Sequence, residues 1–393
     1  MMNVFNEWLG MRSIELEVGL YIPYFLVLLI ILFLSALFER GPRQIKWILG
    51  FLIVVILTLF IGLKPPFSWD LKNYCGRFQD INNGYIVGIE PFFIISSKFF
   101  GLFWNDCLAI FLWYALLTAI FLHLVIRKYS VNYIFSIFIF ICAPFLFLNA
   151  FGVELRQVLA LLVFLYGALK LIFERNIRMF IIFSVISFFI HFSVVFAFLF
   201  ILLFYKIKLF KNRYIILLLY FFSIITILNQ EGILKTLSNL YLNLISVVEL
   251  PFLLKYSLYL QSVSPISWIK YGIYNILGIL HILAFFKLKK INIKEEVKYK
   301  NLIVLFVYGV IFINLFSFSG PLTRIAFYFQ VFQLITIPYI IKKIKPKNIV
   351  FIIMVYFYFL QFIYGLNYVS PSGYKIFLPY RGYLGVNYEL YSE

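Results

Sequence analysis

The sequence predicts an all-α, polytopic transmembrane helical bundle of about 10–12 spans, one short helical hairpin among them. Composition, unbroken apolar runs and recurring basic loops predict it. Of 393 residues, 64% are hydrophobic and 13% charged, whereas a soluble domain is roughly half apolar and about a quarter charged. No soluble fold hides that much apolar surface, so the solvent is lipid. A barrel would alternate apolar and polar residues along each strand. Here Phe25–Phe38 runs without a charge, so the spans are helices, which bond their own backbone internally.

The elements follow in order. Segments 19–38 and 45–63 form a first pair of spans. No small-residue cleavage site follows the first, which therefore reads as a retained helix rather than a signal peptide. Residues 64–104 form a loop containing a short interfacial helix, 91–103, with Lys98 in its middle. Spans 106–126, 131–148 and 153–173 come next. The run 179–205 is too long for one crossing and short for two, and reads as two short helices with His191 at the turn. Then come 214–228, a loop at 229–266, spans 267–286, 301–318, 322–341 and 348–366, and a Tyr-rich tail, 367–393. The whole chain, 1–393, reads as a single membrane domain.

Orientation follows from lysine and arginine. Six loops carry the basic residues: Arg40/Arg43/Lys46, Arg127/Lys128, Arg175/Arg178, Lys206–Arg213, Lys287–Lys300 and Lys342–Lys347. With Lys170 they hold 22 of the 34 basic residues but only four of the 16 acids, so the whole formal charge of +18 lies on one side. That is a cytoplasmic signature facing anionic lipid headgroups, and no nucleic-acid footprint. Loops 64–104 and 229–266, the tail and both termini then lie outside.

Charges near lipid are costly, and each needs a reason. Glu154, Arg156 and Gln157 open an apolar helix after Gly152. Such a helix start favours anions, and an arginine there offers a planar fork to phosphate oxygens. The competing reading is a plain Glu154–Arg156 ion pair or a snorkelling arginine. Arg324 repeats the pattern after Gly320-Pro321. His191, among Phe and Ile, is either a satisfied core histidine or a base at the hairpin tip; His123 and His281 read as structural. Asp70 and Arg77 stand in a polar loop, Glu90 at the start of the interfacial helix and Arg381 in the tail. Cys75, Cys107 and Cys142 show no metal spacing and no disulfide framework; a Cys75–Cys107 bridge outside the membrane is the disfavoured alternative.

At these residues the chain resembles the EpsG-like branch of the bacterial Wzy polysaccharide polymerases. The likeness rests on Trp69-Asp-Leu-Lys-Asn-Tyr74, Gly88-Ile-Glu-Pro91, Leu155-Arg-Gln-Val-Leu-Ala160, Phe189-Ile-His-Phe-Ser193, Leu322-Thr-Arg-Ile-Ala-Phe-Tyr328 and Leu378-Pro-Tyr-Arg381. The resemblance implies a Wzy/GT-C-like fold in the bacterial cytoplasmic membrane. It also implies transfer of a growing glycan from undecaprenyl pyrophosphate to a lipid-linked repeat unit at the outer face. It implies no cofactor and no metal, and the lack of an Asp-x-Asp agrees with that. A chain-length regulator and a flippase of the same pathway are the implied partners.

In this scheme Arg156 and Arg324 hold the pyrophosphate. His191 takes the acceptor proton, with Asp70 and Glu154 as rivals, and Arg77, Glu90, Gln157 and Arg381 contact glycan. The competing functions are a glycan ligase and a lipid-linked oligosaccharide flippase. A flippase would place polar groups at mid-depth on broken helices, where these spans carry almost no charge.

Overall fold

In a computed structural model the chain is helical, and no strand occurs among the described residues. These are 18–85, 88–143, 145–228, 232, 268–288, 294–317, 320–368, 377–378 and 380. The expected loop 229–266, apart from Gly232, and most of the tail, Arg381 included, lie outside them. Two compact units divide the chain. The first takes Met1–Leu171, Asn176–Phe192 and Ile337–Glu393; the second takes Ile172–Arg175 and Ser193–Thr336.

The first unit begins with α1 (Ile22–Arg40) and α2 (Arg43–Gly62), joined by Gly41-Pro42. After α3 (Trp69–Asn82) and α4 (Pro91–Gly101), α5 (Leu108–Tyr129) returns antiparallel to α2. Two glycines of α2 allow this closeness: a Cβ on Gly50 would lie 2.7 Å from His123 Cε1, and one on Gly62 only 2.9 Å from Leu112 Cα. At the basic end, Phe38 packs on Tyr133 (ring centroids 4.4 Å apart) and edge-on against His123 (5.4 Å), and the Glu39 carboxylate accepts from the Ile134 N–H.

The expected span 131–148 is broken. It forms α6 (Tyr133–Cys142), with Asn132 capping its start, and the six-residue α7 (Phe147–Gly152). Pro144 stands between them in the sequence, and proline lacks the N–H a helix needs. Next, α8 (Leu155–Glu174) forms the buried centre, with Val158–Leu165 fully enclosed. Against it lies α9 (Ile177–Ile190), antiparallel: Phe180 packs on Phe164, and the Ser187 hydroxyl donates to the Ala160 carbonyl at 2.8 Å. The last long helix of this unit is α16 (Lys347–Leu366).

The second unit holds α10 (Val194–Lys206), α11 (Arg213–Leu228), α12 (Trp268–Leu288), α13 (Lys294–Leu315), α14 (Gly320–Gln330) and the first residues of α15 (Gln333–Lys343). Asn275 and Asn314 exchange amide hydrogen bonds at 3.0 Å, and Tyr220 and Ser223 join them. His281 is buried, stacked on Phe306, and bonded to the Leu277 carbonyl and the Thr336 hydroxyl. The structural reading of His281 therefore stands.

The run 179–205 is two helices, with His191–Ser193 between them. They fall in different units, and a single long helix is excluded. Among the described residues six helices are long and apolar enough to cross a membrane: α1, α2, α5, α8, the 271–288 part of α12, and α16. The bent pair α14 and α15, at 45°, makes a seventh if counted as one span. Four further apolar helices, α6, α9, α10 and α11, are shorter. Expected span 301–318 reaches back to Lys294, through the basic segment.

Gly62→Val is expected to destabilise the first unit by about 1–3 kcal/mol, because the new side chain meets backbone that must move. Thermal unfolding in detergent measures it, and an unchanged midpoint would show that the α2–α5 contact is loose.

Candidate active site

The site grows from a segment that reads as a loop in sequence and is a helix in the structure. Ser68 caps α3, accepting from the Leu71 N–H at 3.3 Å, and Asp70 sits in the first turn. Leu71, Tyr74, Phe78 and Ile81 recur at helical spacing and are buried. One apolar face thus docks α3 on the unit, as an amphipathic helix requires. Cys75 is disulfide-bonded to Cys107, with Cα atoms 5.1 Å apart, tying α3 to the start of α5. The expectation of no bridge is overturned: α3 brings together two cysteines 32 residues apart in sequence.

Arg156 lies in the first turn of α8, where the sequence places it. Its ion-pair partner is Glu90, immediately before α4. The two side chains are only 15% and 11% exposed. The guanidinium carbon lies 4.8 Å from the Tyr74 ring centroid and 5.6 Å from that of Phe93. A guanidinium over aromatic faces gains from both charge and stacking. Arg156 Nε is buried and has no hydrogen-bond partner among the described residues. Glu154 accepts from the Asn149 side-chain amide at 3.0 Å, and its backbone N–H bonds the Asn149 carbonyl.

Tyr74 reports what surrounds the cluster. Burial pushes its phenol up; the Arg156 charge and hydrogen bond pull it down, while Asp70 and Glu154 push it further up. Asp70, Glu154 and Arg156 therefore share one neighbourhood, with Glu90 bound to the arginine. Gln157 is buried one position further along α8. His191 closes α9 in extended conformation, φ −155°. The antiparallel pairing of α9 with α8 carries it toward the end of the unit where α8 begins.

Two expectations change. Arg77 is not a free loop residue: it lies on α3 and donates to the Gly88 carbonyl at 3.2 Å. Arg324 belongs to the second unit and is the fifth residue of α14, because Gly320 and Pro321 are already helical. A helix terminus acts mainly within its first turn, so the anion-site argument is weaker there than at Arg156.

One residue escaped the sequence reading. Lys64 is 1% exposed and donates to the carbonyls of Ala150 (3.0 Å) and Phe151 at the end of α7. Its ammonium also lies 5.1 Å from the Phe151 ring centroid. Burial drives its pKa well below the usual lysine value. A cation at terminal helix carbonyls satisfies groups that lack intrahelical partners. Lys64 so fixes the chain just ahead of Glu154 and Arg156. The one signal in the sequence is a lone lysine between an apolar span and Pro65-Pro66.

Among the described residues no group of three or more His, Cys, Asp or Glu could hold a metal ion. The fold defines a polytopic helical membrane protein, and in its first unit an ionic cluster lies at the end where α8 begins. The model of the EpsG family matches residues 47–381, and the chain belongs to that family. Membership makes it a polysaccharide polymerase-type membrane protein, of polysaccharide biosynthesis. Comparison with curated proteins and with solved structures gave no match.

Glu90→Gln leaves the Arg156 charge in a largely closed site without its counter-charge. The expected loss is about 1–3 kcal/mol, the range for orphaning one partner of such a bond. Unfolding in detergent measures it, and wild-type stability would mean that the pair is solvated.

Proposed function

We propose that the protein lengthens a polysaccharide at the outer face of the bacterial cytoplasmic membrane. It would move the growing glycan from undecaprenyl pyrophosphate to a lipid-linked repeat unit. The observation that carries this reading is Arg156: a guanidinium held under aromatic rings at a helix start, with a buried Nε lacking an acceptor. A buried donor without a partner is uncommon and costly, and a phosphate oxygen is an acceptor that would satisfy it. The Cys75–Cys107 bridge supports the sidedness, because disulfides persist in oxidising compartments.

In the reaction the bond between the anomeric carbon and the pyrophosphate oxygen breaks. The acceptor hydroxyl oxygen bonds to that carbon, its proton goes to a base, and undecaprenyl pyrophosphate leaves with the negative charge. Arg156, preorganised by Glu90, would stabilise that developing charge. Stabilisation of this kind lowers the barrier because the charge is greater in the transition state than in the substrate. His191 is the proposed base. Glu154 is the second reading, favoured because it shares the surroundings of Tyr74 with Arg156. Arg324 is proposed, from its sequence setting alone, as a further donor-binding residue. A transporter gains no support from the Asn275–Asn314 cluster, which is neutral and closed by its own hydrogen bonds.

Arg156→Lys keeps the charge and loses the fork. It is expected to lower the transfer rate about 10–1,000-fold, as loss of a preorganised donor does, with normal protein levels. Normal polymer from this variant would remove Arg156 from the reaction. His191→Ala is expected to lower kcat about 100–10,000-fold, the usual contribution of a positioned base, with KM little changed. A near-normal His191→Ala beside an inactive, folded Glu154→Gln would move the base to Glu154.

A further inference from the structure

The exposed face of α3 borders an open groove of about 680 Å³. Lys72, Asn73, Gly76, Arg77 and Asp80 of the helix line it, together with Tyr85 and Gly88 beyond its end. These helix positions are opposite the buried face that docks α3, so the groove does not compete with packing.

Three features give the groove a chemistry. Asn73, Arg77 and Asp80 are planar polar groups that together donate and accept in pairs, which suits the vicinal hydroxyls of a sugar ring. The Tyr85 side chain is 68% exposed, a flat apolar surface at the rim against which the C–H face of a pyranose can lie. Gly76 sits in the interior of α3, where glycine weakens a helix relative to alanine. Neither packing nor backbone requires it: a Cβ there would meet nothing within 4 Å, and its φ is ordinary. The same open space lies over Gly88. The Arg77–Gly88 hydrogen bond and the Cys75–Cys107 bridge fix the walls.

We propose that this groove binds the sugar rings of an oligosaccharide, and that Gly76 is kept small so that a ring can lie against the helix. That the oligosaccharide is the acceptor repeat unit rests on the polymerase reading; that the groove binds sugar does not.

The test uses the full chain in neutral-lipid nanodiscs. The probe is the soluble repeat-unit oligosaccharide cut from the polymer of the producing cells, and binding is read by saturation-transfer NMR. Wild type is expected to bind, and Gly76→Leu and Tyr85→Ala to bind at least tenfold more weakly. Gly76→Ala is expected to raise the unfolding temperature while weakening binding, a pairing that a purely structural glycine would not give. Arg156→Lys is expected to bind the probe normally while its transfer rate falls about 10–1,000-fold, which separates the groove from the reaction.

Undiminished binding by Gly76→Leu would overturn the proposal. So would a wild type that ignores the sugar but binds anionic-lipid nanodiscs through Lys72 and Arg77. Sugar binding that depends on the groove, in a protein that never polymerises, would keep the groove and reject the polymerase reading.

Discussion

The first unit is organised around one buried ion pair, Arg156 with Glu90. A guanidinium at the start of a largely buried helix is tolerable only if its charge is matched and its face covered. Glu90 matches it, and Tyr74 and Phe93 cover it. These residues come from three helices and the turn before one of them. The pair therefore fixes α3 and α4 over the beginning of α8. Lys64 works on the other flank, gripping the end of α7 through the Ala150 and Phe151 carbonyls. Between the two cations the chain carries Asn149 and Glu154, whose hydrogen bond completes the set.

The two ends of the first unit differ in charge: one is basic, the other mixed. Arg40, Arg43, Lys46, Arg127 and Lys128 gather at one end, where α1, α2, α5 and α6 turn. Asp70, Glu90 and Glu154 gather at the other, with Lys64, Arg77 and Arg156 among them. Basic loops of this kind face the cytoplasm, so the ionic cluster belongs to the opposite side in the proposed reading. Polysaccharide synthesis from lipid-linked units suits such a layout, because the diphosphate lies at the headgroup level and the sugar beyond it.

Much of this was legible in the sequence, and the failures have physical causes. Long apolar runs such as Arg43–Gly62 and Leu108–Tyr129 announce themselves by composition. The break at His191 was legible from basic loops on both sides of an over-long run. Helix α3 was missed because its polar composition hid a four-residue apolar face: Leu71, Tyr74, Phe78 and Ile81. With α3 read as a loop, the disulfide stood only as the disfavoured alternative and the groove was not anticipated. Arg156 was found from its own surroundings, but its partner is 66 residues away in sequence. No local pattern encodes such a pairing. Lys64 was missed for the same reason, since what holds it is carbonyls that only folding brings near.

A double-mutant cycle between Glu90 and Arg156 tests the account most directly. Stabilities of Glu90→Gln, Arg156→Met and the double variant are compared with wild type in one detergent. The account predicts strong coupling, of about 1–3 kcal/mol for residues in contact, with the double variant more stable than the two single losses added together imply. Additive losses would contradict it, because the arginine would then not depend on Glu90 and the site would lose its organising contact.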